Sequence, residues 1–289
     1  MKKEIFLVLG IFVFSLVSLV LAQPNLTPTV VSVDKAAKSV TVVIPANAVE
    51  VADDVFSLGA VKVNGKAVEG FMIIDHVIGF THKPNHNPPG GGGGGAGSTC
   101  FAFIAQGARW KTTELYVLNS TNSDGLSDAF VAEKINAGLE NWDGQVAFDV
   151  FGARNITASV DGADTASPDN KNEIFFGNID EPGAIAVTIV WGVFRGPPSG
   201  REIVEFDMVF DDPDFLWGNA GPTNEIGLGN TTVMDFWNIA AHEGGHAGGM
   251  GHPDDSCTEE TEYRFSAFGE TKKRTLNAGD IAGIQQLYS

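Results

Sequence analysis

The chain has 289 residues, 43% of them apolar, and carries 36 acidic against 18 basic groups for a formal net charge of −18. That length and apolar share suffice for a buried core in one larger domain plus something smaller, which excludes a disordered tail. The acidic excess argues against binding to nucleic acid and against adhesion to anionic lipid, both of which need basic surface.

The chain opens with Lys2 and Lys3, an uncharged apolar run from Ile5 to Leu21, and then Ala22 with Val20 two residues before it. This is the order of a secretory signal peptide, residues 1–22, cleaved after Ala22. The run is also near the lower limit for a membrane span, so an uncleaved N-terminal anchor is the alternative, and membrane contact is expected only in that case. Both readings put the body of the protein in an extracellular compartment, where a disulfide persists. Four Asn-x-Ser/Thr tripeptides, at Asn25, Asn119, Asn155 and Asn230, suit an exported chain.

Residues 23–81 hold short alternating runs, VVSV, SVTVVIP and AVKVNGKAV, with the turn signal Asn64-Gly65. They predict a small β-rich prosegment or accessory domain. Residues 82–98, HKPNHNPPGGGGGGAGS, contain six consecutive glycines that cannot hold a fixed backbone cheaply, and read as a linker. His82 and His86 within it read as solvated linker residues rather than a metal-binding pair. From residue 99 the character changes. TELYVLNS predicts a strand, and GLSDAFVAEKINAGLENWD predicts a helix, because Leu126, Phe130, Ile135, Leu139 and Trp142 recur at helical spacing. Four strand candidates follow: VAFDVFG, EIFFGNI, AIAVTIVWGVF and REIVEFDMVF. With two further helices behind them the fold class is α+β, an α/β-like layer built on one principal sheet. In FDDPDFLWGN, Asp211, Asp212 and Asp214 cluster as ligands of a hard cation would, which sets calcium against a solvated turn at that point.

The densest chemistry lies in HEGGHAGGMGHP, residues 242–253, which holds three of the six histidines. TTVMDFWNIAAHEGGHAG predicts a helix through His246, with Thr231 and Thr232 as caps. On a helix, residues four apart share a face, so His242 and His246 present two imidazoles to one point, and Zn²⁺ accepts neutral imidazole nitrogen readily. Glu243 then projects beside the metal, where it can take a proton from water. His252 is the expected third ligand. Gly248, Gly249 and Gly251 allow the sharp return it needs, and Pro253 prevents further helix.

At His242, Glu243, His246, Gly249 and His252 the sequence resembles the metzincin zinc peptidases, whose signature is H-E-x-x-H-x-x-G-x-x-H, and within them the matrixins. The resemblance extends to AIAVTIVWGVF, REIVEFDMVFDD and GDIAGIQQLY, so it covers about residues 98–289, with the peptidase domain expected at 99–289. It implies a five-stranded twisted mixed sheet with three helices, a catalytic zinc, and endopeptidase action on protein or peptide substrates. It also implies that AIAVTIVWGVF is the edge strand against which an extended substrate pairs. Two departures stand out. Gly244 occupies a position commonly apolar in the family, which with Gly245 puts two glycines inside the catalytic helix at about 1 kcal/mol each relative to Ala. In CTEETEYRFSAFGE, Glu262 stands where a methionine is expected beneath the metal, as a potential fourth ligand. Cys100 and Cys257 pair in the favoured reading. The rival, a Cys100 thiolate blocking the zinc as in matrixin prosegments, lacks the Arg-Cys-Gly pattern. The functional expectation is a secreted zinc endopeptidase with Glu243 as general base. The alternative is a degenerate peptidase domain that keeps zinc as a binding module.

Overall fold

The computed structural model describes residues 40–80, 99–222 and 229–289; the leader at 1–22, Asn25 and the linker at 82–98 with its two histidines lie outside them. Among the described residues no helix is long and apolar enough to cross a membrane.

The segment before the linker gives β1 (Thr41–Val42), β2 (Val49–Ala52), β3 (Val55–Val63) and β4 (Lys66–Val77). Asn64 and Gly65 join β3 to β4 with φ of 49° and 82°. Two left-handed residues in a row match the turn to the twist of its strands, which is why Asn-Gly was readable as a hairpin. After the linker come β5 (Ala102–Phe103), β6 (Glu114–Asn119), helix α1 (Asp128–Asp143), β7 (Phe151–Arg154), β8 (Glu173–Ile179), β9 (Ala184–Val193) and β10 (Glu202–Asp211). Two-residue bridges β11 (Trp217–Gly218) and β12 (Met234–Asp235) lead into α2 (Phe236–Gly248); β13 (Met250–Gly251), β14 (Phe265–Ser266) and α3 (Ala278–Leu287) complete the chain.

Five strands in the spatial order β7-β6-β8-β10-β9 form the expected mixed sheet. Their neighbours are parallel except for β9, which runs antiparallel to β10. Side chains alternate across this sheet, and each face is apolar. On one face, Ile174, Phe176, Val190, Phe206, Met208 and Phe210 meet the apolar stripes of the helices: Val131, Ile135, Leu139 and Trp142 of α1, Phe236 and Ile239 of α2, Ile284 and Leu287 of α3. On the other face, Phe175, Val187, Ile189, Trp191 and Val209 pack against Val42, Phe56, Leu58, Val68, Met72 and Ile74.

That second core corrects two expectations. The β-rich segment does not close a core of its own as an accessory domain; it shares one compact unit with the rest, running from Ser39 to Ser289. Nor is β9 an edge. β4 pairs with it antiparallel from Glu69↔Gly192 to His76↔Ala184, and β3 and β2 follow beyond. The reason is visible in β9 itself: AIAVTIVWGV is buried on both faces, and a strand with apolar side chains on both sides needs cover that α1 and α2 give on only one.

Cys100 and Cys257 form the expected disulfide, with Cα atoms 5.5 Å apart and a sequence separation of 157. Closing so long a loop contributes on the order of 4 to 5 kcal/mol in the chain-entropy model.

Met72 is 1% exposed, between the hairpin and the sheet. Met72→Ala is expected to lower the stability of the whole unit by about 2 to 5 kcal/mol, with far-UV dichroism and tryptophan fluorescence moving together in a urea titration. An early separate transition, leaving the fluorescence midpoint unchanged, would show that the hairpin folds independently.

Candidate metal centre

Helix α2 starts one turn later than the sequence suggests. Thr231 and Thr232 precede β12, which pairs with β11, and the cap is Asp235, whose carboxylate accepts the Asn238 N–H at 2.9 Å. Arg274 holds that carboxylate from the other side through two hydrogen bonds. The helix ends at Gly249, whose φ of 103° is left-handed and whose N–H bonds back to the carbonyls of Gly245 and His246. A Cβ there would lie 2.9 Å from the Ala108 carbonyl, so both conformation and space require glycine. Gly248 is still helical and Gly251 belongs to β13, so the sharp return depends on Gly249.

The helix and this turn bring three imidazoles together. Nε2 of His246 is 3.2 Å from Nε2 of His242 and 3.1 Å from Nε2 of His252. The Nδ1 of His242 faces the Thr261 carbonyl at 2.6 Å, and that of His246 faces the Met250 carbonyl at 3.1 Å. A carbonyl only accepts, so these Nδ1 atoms carry the hydrogens and the Nε2 atoms present lone pairs to one another. Lone pairs at that distance repel unless a cation lies between them. Zinc bonded to imidazole nitrogen at about 2.0 to 2.1 Å in a tetrahedral arrangement sets neighbouring nitrogens about 3.3 Å apart, so the donor set fits the ion.

Glu243 and His242 are both fully buried. One Glu243 oxygen accepts the Thr188 hydroxyl of β9 at 2.5 Å, and the other, Oε1, has no hydrogen-bond partner. Burial pushes the Glu243 carboxyl up to about 8, against the opposing charge of His246. Burial also drives His242 and His252 well below the ordinary imidazole range. An unpartnered carboxylate oxygen beside three imidazole lone pairs, two of them on the same helix, is a constellation for proton transfer next to a bound cation.

The Matrixin family model matches residues 109–289, more than half of the chain. The chain belongs to the matrixin family. It is similar to Metalloendoproteinase 5-MMP of Arabidopsis thaliana, at 37% identity over 92 residues, which is 32% of this chain and 23% of that protein. Matrixin membership accounts for the mixed sheet with three helices, and the chain spans about a quarter of the length of the curated relative it matches.

Glu262, expected as a potential fourth ligand, is not located as one. Its Oε2 lies 2.9 Å from Nδ1 of His246, on the side of the ring away from the converging Nε2 atoms. It therefore orients a histidine from behind, as the carboxylate partners of metal-ligating histidines do. Glu262 is itself set from below: the backbone N–H groups of Thr261 and Glu262 donate to Asp280 of α3 at 2.7 and 3.2 Å. The glycine in the helix above now has a reason. A Cβ at Gly245 would lie 2.1 Å from Glu262 Oε1 and 2.5 Å from the Trp142 ring. What propensity reads as a soft spot is the space into which the carboxylate fits.

The acidic cluster of the sequence does not converge. Asp211 accepts the Ile179 N–H at 3.0 Å and is pushed up to about 7 by burial, while both oxygens of Asp212 accept the Ser123 N–H. Asp214 does not join them in a group with ligand spacing; among the described residues Asp164, Asp169 and Glu205 do so, from two stretches about 40 residues apart in sequence. Asp75 was also missed. Its carboxylate, His242 and Glu243 offer ligand atoms within 4.8 Å of one another. Nothing near Asp75 in the sequence signals this, because a β4 side chain meets α2 only through the pairing of β4 with β9.

Gly245→Ala, which helix propensity favours by about 1 kcal/mol, is expected instead to destabilise the protein by about 1 to 3 kcal/mol. A higher melting temperature would refute this account of the glycine. Glu262→Gln keeps the shape and removes the charge behind His246; zinc affinity by chelator competition is expected to fall about 10- to 100-fold.

Proposed function

We propose that this matrixin is a secreted zinc endopeptidase in which His242, His246 and His252 hold the ion and Glu243 is the general base. The observation that carries the reading is the convergence of three Nε2 lone pairs beside the unpartnered Oε1 of Glu243. When bound, the zinc supplies a Lewis acid that polarises the scissile carbonyl and acidifies water. Glu243 takes the proton as water attacks and then delivers it to the leaving amine. Thr188 holds one carboxylate oxygen, so the other is the one free to exchange a proton. The extended substrate is a protein or peptide segment that pairs along β9. The binding-module alternative closed the fourth position with Glu262. That role is not supported by a carboxylate seated at the Nδ1 side of His246.

The purified chain is expected to hold about one zinc, lost to o-phenanthroline and lost on His246→Ala. Glu243→Gln substitutes an amide of nearly the same shape, so zinc content and melting temperature are expected to persist. Casein hydrolysis by the chain cut within residues 81–98 should fall by at least about 100-fold, the lower end of what general base catalysis contributes. A zinc-loaded chain that cleaves no unfolded protein, intact or cut, and from which Glu243→Gln is indistinguishable, would leave the binding-module reading in its place.

A further inference from the structure

One segment of this chain is laid out as a bound peptide. From Glu69 to His76, β4 takes the antiparallel ladder that an extended peptide would take on β9. At its far end Val77 donates its N–H to the Gly183 carbonyl at 3.0 Å, while His76 and Ile78 donate to the carbonyls of Arg264 and Ser266 at 3.2 and 2.9 Å. β14 pairs in parallel with His76 and Val77 on that side. Backbone bonds of this kind hold a peptide without choosing among side chains, so choice belongs to the pockets that receive the side chains.

The β4 side chain that lies beside Glu243 is Asp75, and the pocket around its carboxylate is built from the segment after α2. The Ser266 hydroxyl donates to Asp75 Oδ2 at 3.1 Å. The Lys273 ammonium donates to that same Ser266 oxygen at 2.8 Å and to the Tyr263 carbonyl. Asp75, Ser266 and Lys273 are all 0% exposed. Of the consecutive cations Lys272, Lys273 and Arg274, only Lys273 is buried. An ammonium shielded from water polarises the hydroxyl in front of it, which strengthens the bond that this hydroxyl gives to a carboxylate. Burial pushes the Asp75 carboxyl up to about 6; of the charges around it, Lys273, which opposes the rise, outweighs Glu270, which adds to it. An apolar side chain in the same place would leave the buried Ser266 hydroxyl without this acceptor.

We infer that Ser266 and Lys273 form a specificity pocket for an acidic side chain, so that the substrates of this peptidase carry Asp or Glu next to the cleaved bond. The inference deepens the zinc-peptidase reading of the site and rests on it. The position follows from β4: a residue whose side chain enters beside Glu243 adjoins the bond that is attacked there. Lys273 is the source of the preference, and Ser266 relays it to the carboxylate.

The test gives the zinc-loaded chain, intact and cut within residues 81–98, a random peptide library and reads the products by mass spectrometry. Cleavage next to Asp or Glu is expected to exceed cleavage next to Asn, Gln or Leu by about tenfold or more, the share of one hydrogen bond to a charged group. Lys273→Met keeps the length of the side chain and removes its charge, and is expected to bring that ratio close to one. Ser266→Ala is expected to lower it as well, and reports on the pocket even if the methionine variant folds poorly. A second reading needs no cleavage. In a urea titration of the intact chain, Lys273→Met is expected to weaken folding about tenfold more in wild type than in an Asp75→Asn background, where no carboxylate faces the ammonium. A library cut preferentially beside apolar residues, or a Lys273→Met effect equal in both backgrounds, would overturn the acidic pocket and leave the peptidase reading standing. A zinc-loaded chain that cuts no member of the library in either form would overturn both.

Discussion

Three imidazole nitrogens turned on one another, with Nε2 of His246 3.2 and 3.1 Å from those of His242 and His252, are the constraint on which the rest of this protein depends. Such an arrangement is unfavourable for the polypeptide alone, and the fold holds it by fixing the two helix rings from outside. The Thr261 carbonyl orients His242, while the Met250 carbonyl and the Glu262 carboxylate orient His246. Every one of these partners lies after α2 in the chain. The centre therefore exists only when the segment from Met250 to Asp280 has folded back against the helix, and the disulfide at Cys257 and the Asp280 bonds to Thr261 and Glu262 secure that return.

The buried carboxylate of Glu262 is absorbed by a chain of compensations rather than by one change. Glu262 is fully buried, which disfavours its charge, and the nearby His246 offsets that cost. Room for it comes from Gly245, and the floor beneath comes from α3. Lys273 adds a buried ammonium that donates to the Tyr263 carbonyl and to the Ser266 hydroxyl, on the same hydroxyl that Asp75 uses. Glu262 and the covering strand thus meet in one network of buried charges, where each member is tolerable because the others are present.

The hairpin before the linker has two roles with one cause. β9 is apolar on both faces, so it needs a second layer and a lateral neighbour; the hairpin and the β1 region supply both. The ladder that gives stability to the fold is the ladder a peptide substrate would need. A protein built this way gains a complete core at the expense of its open edge, and the stability of the second core sets how readily that edge is exposed.

The elements and the chemistry were legible in the sequence, because both are set by short-range patterns. EIFFGNI and AIAVTIVWGVF read as strands from runs of apolar and β-branched residues, and β8 and β9 lie at Glu173–Ile179 and Ala184–Val193. The spacing of His242, Glu243 and His246 puts its functional groups together through one turn of helix, whatever the rest of the chain does. Asn64-Gly65 fixed a hairpin for the same local reason. What the sequence left open are the contacts between residues far apart in the chain. Alternation says that a strand has two faces and two edges, but not which neighbour takes them, so β9 read as an edge until β4 was seen on it. Gly245 read as a weak point because propensity cannot see Glu262, 17 residues later, approaching the missing Cβ. Asp75 gave no signal at all: an aspartate in a strand acquires its meaning from the side chain opposite, and that side chain is 167 residues away.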